Sequence, residues 1–198
     1  MRRFYRRLRG WNGFRGVVVV AAGILCAHIV ACARNHADTV VMPDGKHWMA
    51  ANLNVNVPGS YCYDDQEQNC NQYGRLYTWQ VARESCSHLG DGWRLPDDSD
   101  WQRMAESYGG IQEVSGDESK KAYKALIVGG SARFNLVFGG GREPNGGYKR
   151  KDAHGFYWTA SEISQNTAWF YNLGTGGEMV TRHEGEKDRA LSVRCIRD

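Results

Sequence analysis

Residues Gly92 to Trp101 constrain the fold of this chain more than any other segment. They read Gly-Trp-Arg-Leu-Pro-Asp-Asp-Ser-Asp-Trp. A short apolar turn, carried by Trp93 and Leu95, stops at Pro96. An acidic and hydroxyl cluster follows, and then Trp101, Met104, Ala105 and Tyr108 recur at helical spacing. This is a strand or turn handing over to a capped amphipathic helix.

Charge misleads until the N-terminus is set apart. The whole chain has net charge +3, but six of its 25 Lys and Arg residues lie in the first 16 positions, without an acid. The apolar run Val17 to Ala31 follows. A basic stretch before an apolar one is the pattern of a secretory signal. Val17 to Ala33 spans 17 residues and contains His28, short of the roughly 20 apolar residues of a membrane-spanning helix. An uncleaved anchor is the alternative. Ile29-Val30-Ala31-Cys32 resembles the bacterial lipobox. That resemblance implies diacylglycerol on the Cys32 thiol and cleavage before it. Ala33 is not the aspartate that holds enteric lipoproteins in the inner membrane, so the expected destination is the outer membrane, on its periplasmic face or at the cell surface. The expected division is a signal over 1–31, a lipidated tether over 32–39 and a domain over 40–198.

Residues 32–198 carry 19 basic and 22 acidic side chains, a net charge of −3. A mildly acidic chain without a basic, aromatic-interleaved stripe argues against a nucleic-acid partner. Its length fits one domain with a real core.

Cys26 leaves with the signal, and Cys62, Cys70, Cys86 and Cys195 remain. An even number in an exported chain reads as two disulfides, with three pairings open. Cys62–Cys70 with Cys86–Cys195 is favoured. The first closes a short polar loop; the second ties an early helix to the last strand. On the chain-entropy model they contribute about 2.5 and 4–5 kcal/mol respectively. No CxxC spacing supports structural zinc.

Strands are expected at Val40–Met42, His47–Leu53, Phe134–Phe138, Phe156–Ser161, Ala168–Leu173, Met179–Arg182 and Leu191–Ile196, with helices over about 77–88, 98–108 and 119–127. Residues 54–72 and 139–147 are expected to be loops. Early helices and late, short antiparallel strands give an α+β fold.

Four co-linear segments together resemble the Fibrobacter succinogenes major paralogous domain of exported Gram-negative proteins and lipoproteins. They are Asp44–Leu53, Cys70–Trp79, Gly92–Trp101 and Leu191–Asp198. Phe138–Arg142 is similar to that family's glycine-rich segment, and Trp158–Ser161 to its Trp-rich strand. Arg94-Leu95-Pro96 with Trp101 is similar also to formylglycine-generating domains and their C-type-lectin-like relatives. This resemblance implies a C-type-lectin-like fold, with two to three helices early, a small twisted antiparallel sheet, termini close together and a long loop region. Cys86–Cys195 would be its helix-to-last-strand bridge. Relatives place Thr before the helix and Glu three residues later, where this chain has Asp97 and Asp100. The shorter Asp100 side chain is expected to reach back less easily.

Glu143-Pro144-Asn145 is similar to the calcium- and sugar-binding tripeptide of C-type lectins, but the partner Trp-Asn-Asp is missing. The competing reading is a Pro-Asn turn. Asp64, Asp65 and Glu67 are oxygen ligands suited to Ca²⁺ on the short loop, or else solvated acids. His154 and His183-Glu184 match no metal spacing and read as surface. The glycines at 139–141 lack the Lys-Ser/Thr of a phosphate loop and read as turn formers. Trp48, Trp79, Trp93, Trp101, Trp158 and Trp169 read mostly as core, and Tyr148, Tyr157 and Tyr171 as aromatics near the loop face. Formylglycine chemistry needs a reactive cysteine pair near the C-terminus, and only Cys195 lies there. The expected function is non-catalytic binding of a glycan or an envelope protein. Structural envelope assembly is the alternative and formylglycine-type oxidation a remoter one. The loops at 62–70 and 139–148 are where a site is expected.

Overall fold

The structure, a computed structural model, describes residues 38–111 and 118–198. The expected signal, the tether up to residue 37 and Cys32 lie outside the described residues. No helix among the described residues is long and apolar enough to cross a membrane.

The described residues open with β1 (Thr39–Val41), a turn at Pro43–Gly45, and β2 (His47–Met49). Next come β3 (Ser60–Tyr61), a 3-10 turn at Tyr63–Asp65, α1 (Glu67–Tyr73), β4 (Leu76–Thr78) and α2 (Trp79–Ser85). Two further helices follow, α3 (Asp98–Glu106) and α4 (Glu118–Leu126). The remainder is β5 (Gly139–Arg142), β6 (Tyr148–Lys151), β7 (His154–Glu162), β8 (Thr167–Gly174), β9 (Met179–Glu186), β10 (Ala190–Leu191) and β11 (Ile196–Arg197). The fold is α+β.

One small sheet has the order β1-β2-β11, so the first and last strands flank β2. The large sheet runs β3-β4-β10-β5-β7-β8-β9, with β6 hairpinned onto β5. It is mixed rather than purely antiparallel, because β5 and β7 run parallel where Gly140 meets Gly155. Three expectations change here. Ser60–Tyr61 forms a strand and Glu67–Tyr73 a helix in place of the expected 54–72 loop. Phe134–Phe138 forms no strand; only Leu136 bridges to Ile127. The glycine run 139–141 is strand β5, not a loop.

Close approach explains the third change. A Cβ at Gly140 would lie 2.5 Å from the Lys149 carbonyl oxygen and 2.8 Å from the Tyr63 ring, at φ +66°. Gly139 faces Tyr73 and Gly141 faces Leu191. Bare backbone lets α1, the Tyr63 turn, β6 and β10 converge on one strand.

Alternation along β7 and β8 feeds two cores. Tyr157, Tyr171 and Leu173 pack with Trp48, Trp101, Met104 and Leu126. Phe156, Trp158, Ala168 and Phe170 pack with Tyr77, Trp79, Ala82 and Leu191 on the other face. Helices α3 and α4 therefore cover one side and α2 the other. Tyr157 and Tyr171 are fully buried rather than near the loop face. Trp48, Trp79, Trp101 and Trp158 are core, with Trp101 stacked on Tyr171 at 5.1 Å.

The opening segment resolves into a charged hub. The Asp100 backbone N–H donates to Asp97 Oδ1 at 2.8 Å, and the Asp97 N–H returns to Asp100 Oδ2 at 3.0 Å. The aspartate therefore does reach back. Its fully buried carboxylate also takes Lys46 at 2.8 Å, Arg94 at 2.7 Å and Arg103 at 2.8 Å. These hydrogen bonds and cations outweigh burial and hold the Asp100 carboxyl far below the usual range. Arg94 also ties this helix start to the last strand through paired backbone bonds with Ile196. Asp100 thus pins β2, α3 and the C-terminal strand together.

Arg194 is a second lock, and it is fully buried. It donates to Asn52 Oδ1 and to the carbonyls of Met49, Phe134 and Asn135 at 2.6–2.8 Å. No carboxylate is among those acceptors, and burial brings its pKa down to about 10.

Candidate functional site

The cysteines pair as the sequence favoured, Cys62 with Cys70 and Cys86 with Cys195. The short staple holds α1 against the Tyr63 turn. The long one fastens the end of α2 to the last strand.

The two loops singled out from sequence do meet. Tyr148 donates its hydroxyl to Asp65 at 2.6 Å, and its ring lies 5.1 Å from that of Tyr63. The Arg142 guanidinium caps Tyr61 at 4.1 Å. Burial and the Asp65 charge push Tyr148 up to about 12.

Their oxygen ligands do not converge on one point. Asp65 is taken by Tyr148, Glu67 faces Arg75 at 3.6 Å, and Glu143 pairs with Arg189 at 2.9 Å. Asp64, at φ +53°, stands exposed. Asn145 accepts from the Gly147 N–H and closes its own turn, which the Gly146 N–H to Glu143 carbonyl bond completes. Glu143-Pro144-Asn145 is therefore the tip of the β5–β6 hairpin. Among the described residues, the one grouping of three potential ligands is Cys62, Glu67 and Cys70. Its two sulfurs are bonded to each other, so no thiolate is available. The residues expected for Ca²⁺ do not fit it.

Among the described residues, a cleft lies elsewhere, over α2. It measures about 680 Å³, within the range of small-ligand sites. Three segments build it: the start of α2, the β7–β8 turn and the β9–β10 turn. Backbone bonds knit them, from Trp79 N–H to the Lys187 carbonyl at 3.0 Å and from Lys187 N–H to the Asn166 carbonyl at 2.9 Å. Trp79 sits beneath, its indole N–H bonded to the Thr159 carbonyl at 2.8 Å. Lys187 Nζ lies 4.3 Å from the Trp79 ring centre and the Arg83 guanidinium 4.9 Å. Lys187 Nζ also binds Glu162 at 2.6 Å and two carbonyls of the turn, fixing the wall.

Around that frame stand Gln80, Gln165, Asn166, Glu186 and Asp188. Donors and acceptors are mixed, as suits a neutral ligand with many hydroxyls. Sequence reasoning read Trp79 as core, which it is, and had no signal for the polar turn residues. Their convergence depends on β7, β8, β9 and β10 lying in register.

An α+β domain closed by two disulfides and a buried charged hub is the class these features define. The sequence profile of the Fibrobacter succinogenes major domain matches residues 37–197. The chain belongs to that family. No curated protein and no solved structure matches it.

Proposed function

We propose that this domain is the non-catalytic binding module of a cell-envelope lipoprotein, with a C-type-lectin-like fold and a glycan seated in the Trp79 cleft. The observation that carries the reading is the cleft itself: three hydrogen-bonded segments present amides, carboxylates and cations around one 680 Å³ space. Sugar hydroxyls both donate and accept, so they match such a mixed rim better than an apolar or single-signed ligand would. The C-type-lectin-like assignment is supported by the Cys86–Cys195 bridge and by β1 and β11 flanking β2. Formylglycine-type oxidation is disfavoured because Cys86 and Cys195 are joined to each other. The lipobox at Ile29–Cys32 supports anchorage through Cys32.

The test is a glycan array probed with the full-length protein in detergent. Gln165→Ala with Asn166→Ala removes two amides at the turn tip, and retained glycan is expected to fall roughly tenfold. An array without retained glycan refutes the glycan reading. Conversion of a sulfatase-derived cysteine peptide would replace it with an oxidoreductase. Incorporation of a labelled fatty acid, abolished by Cys32→Ser, is the expected result for the anchor.

A further inference from the structure

The face of β7, β8 and β9 that carries the α2 core continues beyond it into a second groove of about 240 Å³. Its floor is Phe156 and Phe170, set edge to face with ring centres 5.8 Å apart. An imidazole lies flat on each. His154 stacks on Phe156 at 5.4 Å and 13°, and His183 on Phe170 at 5.6 Å and 28°. Two glycines open the space. A Cβ at Gly174 would meet the His154 ring at 2.8 Å, and one at Gly185 would meet the Phe170 ring at 2.9 Å.

The rim is cationic although the chain after residue 31 is acidic. Its charged residues are Arg150 and Arg189, and no carboxylate lines the groove. Arg189 is neutralised by Glu143 behind it, but its buried Nε has no partner. Among the described residues, Arg150 makes no salt bridge. Its guanidinium donates to His154 Nε2 at 3.2 Å, and His154 Nδ1 faces Asn172 Oδ1 at 2.8 Å. Those two contacts fix the plane of the ring. Arg150 has φ +68° where the chain turns out of β6, its carbonyl accepting from the Ala153 N–H at 3.2 Å.

We propose that this groove is a second binding site, for a carboxylated sugar ring such as a uronic-acid residue of an acidic glycan. The carboxylate pairs with Arg150, whose planar fork matches it and which is in no salt bridge among the described residues. The sugar's C–H face lies against the phenylalanine-backed imidazoles. A groove of this size admits one ring rather than a chain, so it reads a terminal or singly inserted residue. The site stands whether or not the Trp79 cleft binds a glycan.

The test is calorimetric titration of the full-length protein in detergent with glucuronate, glucose and inorganic sulfate, with the side-chain NMR signals of His154 and His183 as a local readout. Glucuronate is expected to bind and shift both histidines, and glucose and sulfate to bind at least tenfold more weakly. Arg150→Gly removes the guanidinium and relaxes the backbone, so the fold is retained, and glucuronate affinity is expected to drop roughly tenfold. The titrations are repeated in the Gln165→Ala, Asn166→Ala background, which separates any sugar bound in the Trp79 cleft. Sulfate binding as tightly as glucuronate would mean a bare anion site and overturn the sugar assignment. Equal affinity for glucose in the Gln165→Ala, Asn166→Ala background, unshifted histidines or an indifferent Arg150→Gly variant would overturn the site.

Discussion

Asp100 is the sharpest test of how this fold is held. Its carboxylate is fully buried and faces three cations, whose side chains are 21% (Lys46), 39% (Arg94) and 49% (Arg103) exposed. Removing one partner of a buried ion network costs about 3–5 kcal/mol when the others are left uncompensated, but Lys46 and Arg94 keep Asp198 at 3.1 and 3.9 Å. Here the cations can regain water, which points to the lower end, about 3 kcal/mol. Asp100 also forms one arm of the α3 capping box, worth about 1 kcal/mol. Asp100→Ala is thus expected to lose about 4 kcal/mol. Asp100→Asn keeps an acceptor for the cap and should lose about 2–3 kcal/mol. At about 2–4 °C per kcal/mol for a domain of this size, Asp100→Ala should melt roughly 10 °C lower. The assay is urea unfolding with disulfides intact, in which the midpoint falls and the slope stays constant.

The pH profile supplies the sign. A carboxyl held below its unfolded value of about 3.9 stabilises fully above that pH, and the stabilisation is lost as pH falls further. The wild-type protein should therefore weaken below about pH 4, and the Asp100→Asn variant should lose part of that slope. A loss under 1 kcal/mol with an unchanged acid slope would refute the hub.

Other substitutions probe the remaining constraints. Cys62→Ser with Cys70→Ser should lower stability by about 2.5 kcal/mol and Cys86→Ser with Cys195→Ser by about 4–5 kcal/mol, read by denaturant midpoints. Near-equal losses would show that the closed loop is not what matters. Gly140→Ala places a methyl group on the Lys149 carbonyl at positive φ and should cost more than 2 kcal/mol, whereas Gly45→Ala, with open space at its Cβ, should lose only about 1 kcal/mol; similar losses in thermal melts would contradict the close-approach argument. Arg194→Met leaves four carbonyl and amide acceptors unmet in the core and should cost about 3 kcal/mol or more, and a variant as stable as the parent would disprove the lock.

Much of the fold was legible because local chemistry and tertiary need agreed. Pro96 and Asp97 start a helix in any context, and Trp101, Met104 and Ala105 recur with the period that buries one face. The same holds for β7, β8 and β9, whose aromatic and β-branched runs fit a pleated surface. Where the two diverged, sequence reading failed. Phe134–Phe138 alternates like a strand, yet its carbonyls at Phe134 and Asn135 serve Arg194 instead of a ladder. Gly139–Gly141 has the composition of a loop, yet only bare backbone fits where α1, β6 and β10 crowd together. The 67–73 helix is short, polar and stapled by Cys70, so its apolar period was too weak to see.

By itself the sequence determined the α+β class, the family and the helix start at Asp97, and it favoured one of three disulfide pairings, because each rests on local pattern, on co-linear motifs or on cysteine chemistry. Tertiary structure decided everything that depends on partners far apart in sequence. It spent the candidate calcium ligands on Tyr148, Arg75 and Arg189. It gathered Trp79, Asn166 and Lys187 into one cleft, and Arg150, His154 and His183 into another. Acidic and aromatic side chains declare what they can bind, but strand register decides which of them face the same space.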